Sequence, residues 1–398
     1  MAGIYIHIPF CRSRCIYCGF YSTTGLELRQ RYVDAVCREV VLSGEWREES
    51  GERYDIETIY FGGGTPSQLT IPQLTQLFIY INKVYSLTSH LSPLTSKHYS
   101  LTSHLSPLTS QEITLEMNPD DVTAEYAEAL VKLGVNRVSM GVQTFNDERL
   151  RFLCRRHTAK QVYQAVETLR QAGIGNISID LMYGFPDETL DDWKADIDEA
   201  LSLGVEHIST YCLMIEEGTP LYRLMEQGKV SEMDEELERQ MYYDLIDRLE
   251  AAGYEHYEIS NFARPGFRSR HNSSYWNQTP YIGLGAAAHS FDGKKCRRWN
   301  VADIHQYIEG IEKGQPCFEQ EVMDEDTQYN DLVTVALRTK EGLDLHQLSE
   351  RHRTYALKNA QRFLNDGLLE IKGDKRLVLT RKGLFVSDMI MSELMWTD

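Results

Sequence analysis

GIYIHIPFCRSRCIYCGF, residues 3–20, joins two signals that govern the whole chain. Its first half sets apolar side chains at Ile4, Ile6 and Ile8, the period of a strand with one buried face. Its second half sets Cys11, Cys15 and Cys18 at C-x3-C-x2-C spacing directly after that strand. Thiolates are the ligands of iron–sulfur clusters, and a cubane ordinarily takes four. Here Gly19 and Phe20 follow Cys18, and the next cysteine is Cys37. Three thiolates therefore predict a [4Fe–4S] cluster with one iron corner open. The amino and carboxylate groups of S-adenosylmethionine (SAM) form a chelate suited to that corner. A structural zinc site asks instead for four protein ligands, and His7 is expected to point along the strand.

Outward from this stretch, strand-like runs begin at Ile4, Thr58, Glu112, Arg137, Ile177 and His207. Amphipathic helical runs such as TAEYAEALVKLG and AKQVYQAVETLRQAG separate them, and Gly134 and Gly173 supply stops. Six such units predict an α/β fold with a parallel sheet and right-handed crossovers. In such folds function gathers at the carboxyl ends of the strands. That rule selects the cysteine loop, GGGTP at 62–66, Glu116 in EMNPDD, Gln143, Asp180 and the end of the sixth strand. Glu116 can accept hydrogen bonds from an ammonium or ribose hydroxyls. Arg155 can pair with a carboxylate. Asp180 lies among apolar neighbours and demands a partner.

The expected organisation is a core barrel over 1–228, an extension over 229–325 and a C-terminal unit over 326–398. YSLTSHLSPLTS occurs at 85–96 and again at 99–110. This low-complexity duplication marks 84–111 as an insertion loop. After Glu325, helices flank LLEIKGDKRLVLT, two short strands about a turn, which suggests a winged-helix-like α+β module.

Net charge is −18 over 398 residues, which opposes binding to nucleic acid. No signal peptide or spanning segment is evident, so the expected compartment is the cytoplasm. Within this acidic chain RPGFRSRHNSSYW, 264–276, is a basic exception. Arg264 and Arg268 suit propionate carboxylates, His271 offers imidazole to a heme iron, and Tyr275 and Trp276 offer stacking surface. His289 follows small residues in GLGAAAHSF, which leaves room for a flat ligand.

The C-x3-C-x2-C motif after the first strand, with Tyr17 before the third cysteine, resembles the radical SAM signature. YIHIPFCRSRCIYCGF looks like the start of the oxygen-independent coproporphyrinogen III oxidase-like family, and HNSSYW resembles a mark of its HemW-type heme chaperones. The resemblance implies a partial (β/α)6 TIM-like barrel. It implies that Gly63, Gly64 and Thr65 receive the methionine amino group of SAM. It also implies SAM contacts from Tyr5, Tyr17, Glu116, Gln143, Arg155 and Asp180. The implied function is a chaperone that binds heme and delivers it to respiratory apoproteins, with homodimers and transient contacts to membrane proteins. The alternative is oxidative decarboxylation of coproporphyrinogen III. Against it, Phe20 stands where the oxidases carry a fourth cysteine, and their longer N-terminal extension is missing.

Overall fold

The computed structural model describes residues 2–50, 55–85, 111–373 and 375–397. Residues 86–110 of the duplicated insertion lie outside them.

The core repeats strand then helix: β1 (Ala2–Ile8), α1 (Arg29–Ser50), β2 (Ile56–Gly63), α2 (Ile71–Tyr85), β3 (Glu112–Met117), α3 (Ala124–Lys132), β4 (Arg137–Gln143), α4 (Asp147–Phe152), α5 (Ala159–Ala172), β5 (Asn176–Tyr183), α6 (Leu190–Ser202) and β6 (His207–Cys212). There follow α7 (Pro220–Glu226), α8 (Glu235–Ala251), β7 (Glu255–Glu258), β8 (Asn261–Ala263), α9 (Arg270–Trp276), β9 (Tyr281–Leu284), β10 (His289–Phe291), β11 (Cys296–Asn300), α10 (Ile304–Glu312) and β12 (Phe318–Val322). The C-terminal elements are α11 (Glu325–Leu337), β13 (Leu343–Asp344), α12 (Glu350–Asn365), β14 (Leu369–Lys372), β15 (Arg376–Leu379), α13 (Arg381–Phe385) and α14 (Ser387–Leu394).

β1 to β6 lie side by side in chain order, each parallel to the next. The sheet continues past β1 through β9, which is parallel to it, and past β6 through β8 and β7. Sequence periodicity did not announce these outer strands of the extension.

Alternation decides what each strand face does. Ile4, Ile6 and Ile8 are fully buried and join a core with Val33, Val36, Leu74, Leu77 and Phe78 of the covering helices. Each such side chain contributes about 1.5–3 kcal/mol by leaving water. The opposite faces carry Tyr5, Tyr60, Glu116, Ser139, Asp180 and Ser209. A barrel built only for packing fills this space with branched apolar residues. A polar lining costs stability unless it is bonded, so it marks a chamber for a ligand.

Caps set the helix ends. Thr158 and Thr189 each form a capping box, and Gly173 closes α5 at φ +100°. After Glu325 the expected helices and hairpin are present, joined by the short β13 against β15. They surround their own apolar cluster, including Val333, Leu337, Phe363, Leu377 and Ile390. Among the described residues no helix is long and apolar enough to cross a membrane.

Candidate cofactor site

The cysteine loop leaves β1 through Pro9 and is pinched at its neck, where Thr23 N–H donates to Pro9 O and Cys11 N–H donates to Thr23 O. Its middle is tied across the mouth of the barrel. Ile16 N–H donates to Leu153 O, and Leu221 N–H donates to Ile16 O. Ile16 and Tyr17 pack on the apolar cluster of Leu153, Met182, Phe185, Leu213 and Leu221. The loop thus spans from the end of β1 to the ends of β4–β6. Cys11, Cys15 and Cys18 are free thiols, each half-buried. Burial pushes Cys11 and Cys18 up from the ordinary thiol range. The Thr65 hydroxyl lies 3.5 Å from Cys11 Sγ, and Arg155 Nη1 donates to Cys15 Sγ at 3.6 Å. Among the described residues the three thiols are not drawn together around one point, but soft donors carried on one loop are the donor chemistry of an iron–sulfur cluster.

The GGGTP turn seats against this loop. Gly63 has φ +109°, and a Cβ there would meet the His7 ring at 2.6 Å. A Cβ on Gly64 would meet backbone of Pro9 at 2.9 Å. Only glycine lets two strand ends approach this closely. Gly63 N–H donates to Glu116 Oε2 at 3.2 Å, and Tyr60 OH donates to Glu116 Oε1 at 2.7 Å. Tyr5 stacks beside Tyr60, with ring centroids 6.2 Å apart, and its hydroxyl bonds His7 Nδ1 at 3.1 Å. His7 therefore turns into the chamber, with Nε2 on Tyr21 O at 3.0 Å.

Burial pushes Glu116 up to about 7, against the Tyr60 hydrogen bond that favours its anion. Asp180 rises to about 6 for the same cause, opposed by its bond to Ser209. The predicted partner of Asp180 is thus a pair of serines, Ser139 and Ser209. Arg155 Nη2 donates to Asn118 Oδ1 at 2.7 Å and to Gly141 O at 2.5 Å. Gln143 sits at a β-bulge with φ +72°. Bulges re-aim side chains beside functional sites, and a left-handed non-glycine residue is strained. The structure brings Tyr5, Gly63, Thr65, Glu116, Gln143, Arg155 and Asp180 to the carboxyl end of the barrel with the cysteines. Sequence reading missed Tyr60 and Arg137. Tyr60 was accessible through period two, since it pairs in register with Tyr5. Arg137 is buried with Nε and Nη1 lacking partners, and a strand-leading arginine gives no sequence signal for burial.

The residues expected to meet heme lie on and around one short helix, where His271 and Tyr275 are brought together. α9, which carries HNSSYW, closes the opposite end of the chamber. His271 is fully buried, with Nδ1 on Thr58 Oγ1 and Nε2 on Tyr275 OH, both at 2.8 Å. Burial pushes its ring down to about 3. Arg270 N–H and His271 N–H both donate to the Glu112 carboxylate. Arg268 is committed to Glu255 and Glu341. Arg264 lies over the Tyr254 ring, and Arg338 covers Trp276. Both His271 ring nitrogens thus have partners within the chain, as does the Arg268 guanidinium.

The chain is similar to known proteins over most of its length. The radical SAM superfamily profile matches residues 5–200. The heme chaperone HemW of Bacillus subtilis is 37% identical over 88% of this chain and 87% of its own length. HemW of Lactococcus lactis is 31% identical over 96% and 93%. Among solved structures, coproporphyrinogen III oxidase (HemN) from Escherichia coli superposes with TM-score 0.79 over 99% of this chain and 90% of its own, at 21% identity. At that identity the last likeness is one of fold.

Proposed function

The chain belongs to the heme chaperone HemW family of radical SAM proteins, and on that premise we propose that it binds heme and delivers it to respiratory apoproteins. The observation that carries this reading is a likeness to heme chaperones running nearly the length of the chain. Cys11, Cys15 and Cys18 hold the [4Fe–4S] cluster. Gly63, Gly64 and Thr65 offer backbone and hydroxyl to the amino end of SAM, and Arg155 offers its guanidinium to the carboxylate. Glu116 and Asp180, poised to ionise near neutral pH, accept from its ammonium and ribose hydroxyls. Tyr5, Tyr17 and Gln143 wall the same space. When bound, the cluster supplies an electron to the SAM sulfonium. Tyr17 and the apolar cluster beneath it keep water from that corner.

The acceptors are membrane-bound respiratory proteins met transiently, and the chaperone acts in the cytoplasm as a homodimer. The oxidase alternative draws only fold from its structural likeness, and Phe20 removes the fourth thiol beside Cys18. Titration of the purified chain with hemin tests the function. A saturable Soret shift at one heme per chain is expected. A spectrum that stays that of free hemin rejects it.

A further inference from the structure

We infer that Arg137 is a positioning residue of the SAM site: held on the floor side of Glu116 and Asp180 without pairing to either, its guanidinium compensates the charge of both and leaves their oxygens open to the ligand. The inference rests on the proposed SAM site and names what lets its two acids work together.

Alternation places the side chain. Val138, Met140 and Val142 of β4 lie in the apolar core outside the sheet, so Arg137 and Ser139 face the chamber. Arg137 is 1% exposed. Its register partner is Thr114 on β3, and the inner face of that strand reads Glu112, Thr114, Glu116. The guanidinium therefore enters the chamber level with Thr114, with one carboxylate toward the floor and another toward the mouth.

Two of its nitrogens, Nε and Nη1, are buried without a hydrogen-bond partner, and so is the Oγ1 of Thr114. Among the described residues Arg137 makes no ion pair. Glu112 is taken by the Arg270 and His271 amides of α9. Glu116 is held by Tyr60 OH and Gly63 N–H, and Asp180 by Ser139. A buried cation is costly unless opposite charge offsets it. Here the offset acts at a distance, since Arg137 favours the anions of both Glu116 and Asp180.

SAM brings a ribose diol and an amino group, so it needs two acceptors at once. Two carboxyls buried in one chamber oppose each other's ionisation, and Asp180 does oppose that of Glu116. An arginine in direct contact would relieve the conflict but cover the oxygens that the ligand must reach. A guanidinium held a layer away supplies the charge and covers nothing.

The other groups facing these acids do not take its place. The phenols of Tyr5, Tyr60 and Tyr211, from β1, β2 and β6, are all raised, chiefly by burial, and stay neutral. Burial pushes His207 of β6 and His271 of α9 down, so neither carries charge at pH 7. Arg155 also acts on Asp180, but its guanidinium is engaged at the mouth by Cys15, Asn118 and Gly141.

The test is anaerobic isothermal titration of SAM into the cluster-loaded chain from pH 6 to pH 9. Wild type is compared with Arg137→Gln, Arg137→Met and Arg137→Lys, with iron content and circular dichroism as checks of loading and fold. The titration of SAM itself is common to every chain and drops out of the ratio to wild type. Without the guanidinium, Glu116 keeps its proton to higher pH. Arg137→Gln and Arg137→Met should therefore bind SAM on the order of tenfold more weakly below pH 7, a gap that closes toward pH 9. Arg137→Lys retains the cation and should follow the wild-type profile. Wild-type affinity at every pH in a neutral variant overturns the inference. So does a loss that is uniform in pH or shared by Arg137→Lys, which packing alone would produce. Either result leaves the SAM site standing. Infrared spectra decide the matter without any Arg137 variant. The wild-type SAM complex at pH 7 should show no protonated-carboxyl band that Glu116→Gln or Asp180→Asn removes, and such a band overturns the inference. A cluster-loaded wild-type chain that binds no SAM removes the site itself, and the inference with it.

Discussion

Glu116 stands where several ionisable groups meet inside the barrel. Tyr60 OH and Gly63 N–H bond it, Asp180 and Arg137 act on it through space, and Tyr5 feels its charge. Its folded-state value near 7 lies above the ordinary 4.5. Such a carboxyl keeps its proton longer in the folded chain, so its favourable contribution is present at low pH and lost as pH rises from about 4.5 through about 7. Glu116→Gln removes that titration. The thermal midpoint of the variant relative to wild type should therefore move in the variant's favour between about pH 5 and pH 8, read by scanning calorimetry without SAM. A difference independent of pH would contradict the assignment. Arg155 supports a second expectation. Its guanidinium reaches Cys15, Asn118 and Gly141 at once, geometry that a lysine cannot reproduce. Arg155→Lys should weaken SAM binding to the cluster-loaded chain by about 1.5–3 kcal/mol, measured by isothermal titration. Unchanged affinity would remove Arg155 from the site.

Among the elements, β4 and α9 bear most directly on the chamber. The bulge of β4 holds Gln143 at φ +72°, which costs about 1–2 kcal/mol for a residue with a Cβ. Gln143→Gly should leave thermal stability equal or higher while weakening SAM binding, the trade expected where strain serves a ligand. Loss of both together would mean that the bulge is only structural. α9 forms the floor, so His271→Ala strands the Thr58 and Tyr275 hydroxyls in the interior. A loss of about 2–4 kcal/mol in urea unfolding is expected. A loss below about 0.5 kcal/mol, the range of surface substitutions, would show that His271 does not seal the barrel. The same elements show how far sequence reaches. β1 to β6 were legible because each buries a period-two apolar face, as Ile4, Ile6 and Ile8 do, and because Thr158, Thr189 and Gly173 punctuate the helices between them. β7 to β12 were not. β9 is four residues long and contains a glycine, and it is a strand because β1 offers an edge. Likewise HNSSYW shows composition and not direction. Its imidazole bonds Thr58 and Tyr275, and the neighbouring Arg268 pairs with Glu255, contacts that composition does not announce.

For the molecule as a whole, the cluster loop and the polar chamber sit at one end of the barrel strands and α9 at the other. The C-terminal unit joins the extension by Ile259 N–H to Arg338 O and Lys340 N–H to Tyr257 O, and by the Arg338–Glu258 pair. The duplicated insertion falls between α2 and β3, with residues 86–110 outside the described ones. Loop entropy changes by only about 0.6 kcal/mol on halving a loop. Excising residues 97–110 should leave the thermal midpoint and the iron content unchanged, and a fall in either would give the insertion a structural part. Cluster chemistry in this protein depends on three sulfurs. Anaerobic reconstitution followed by iron and sulfide analysis tests it most directly, with Cys11, Cys15 and Cys18 intact and then replaced by alanine. About four irons and four sulfides per chain are expected, with a broad absorbance that SAM perturbs, and all of it lost in the alanine variant. A chain that takes up no iron, or an alanine variant that retains it, would contradict the account.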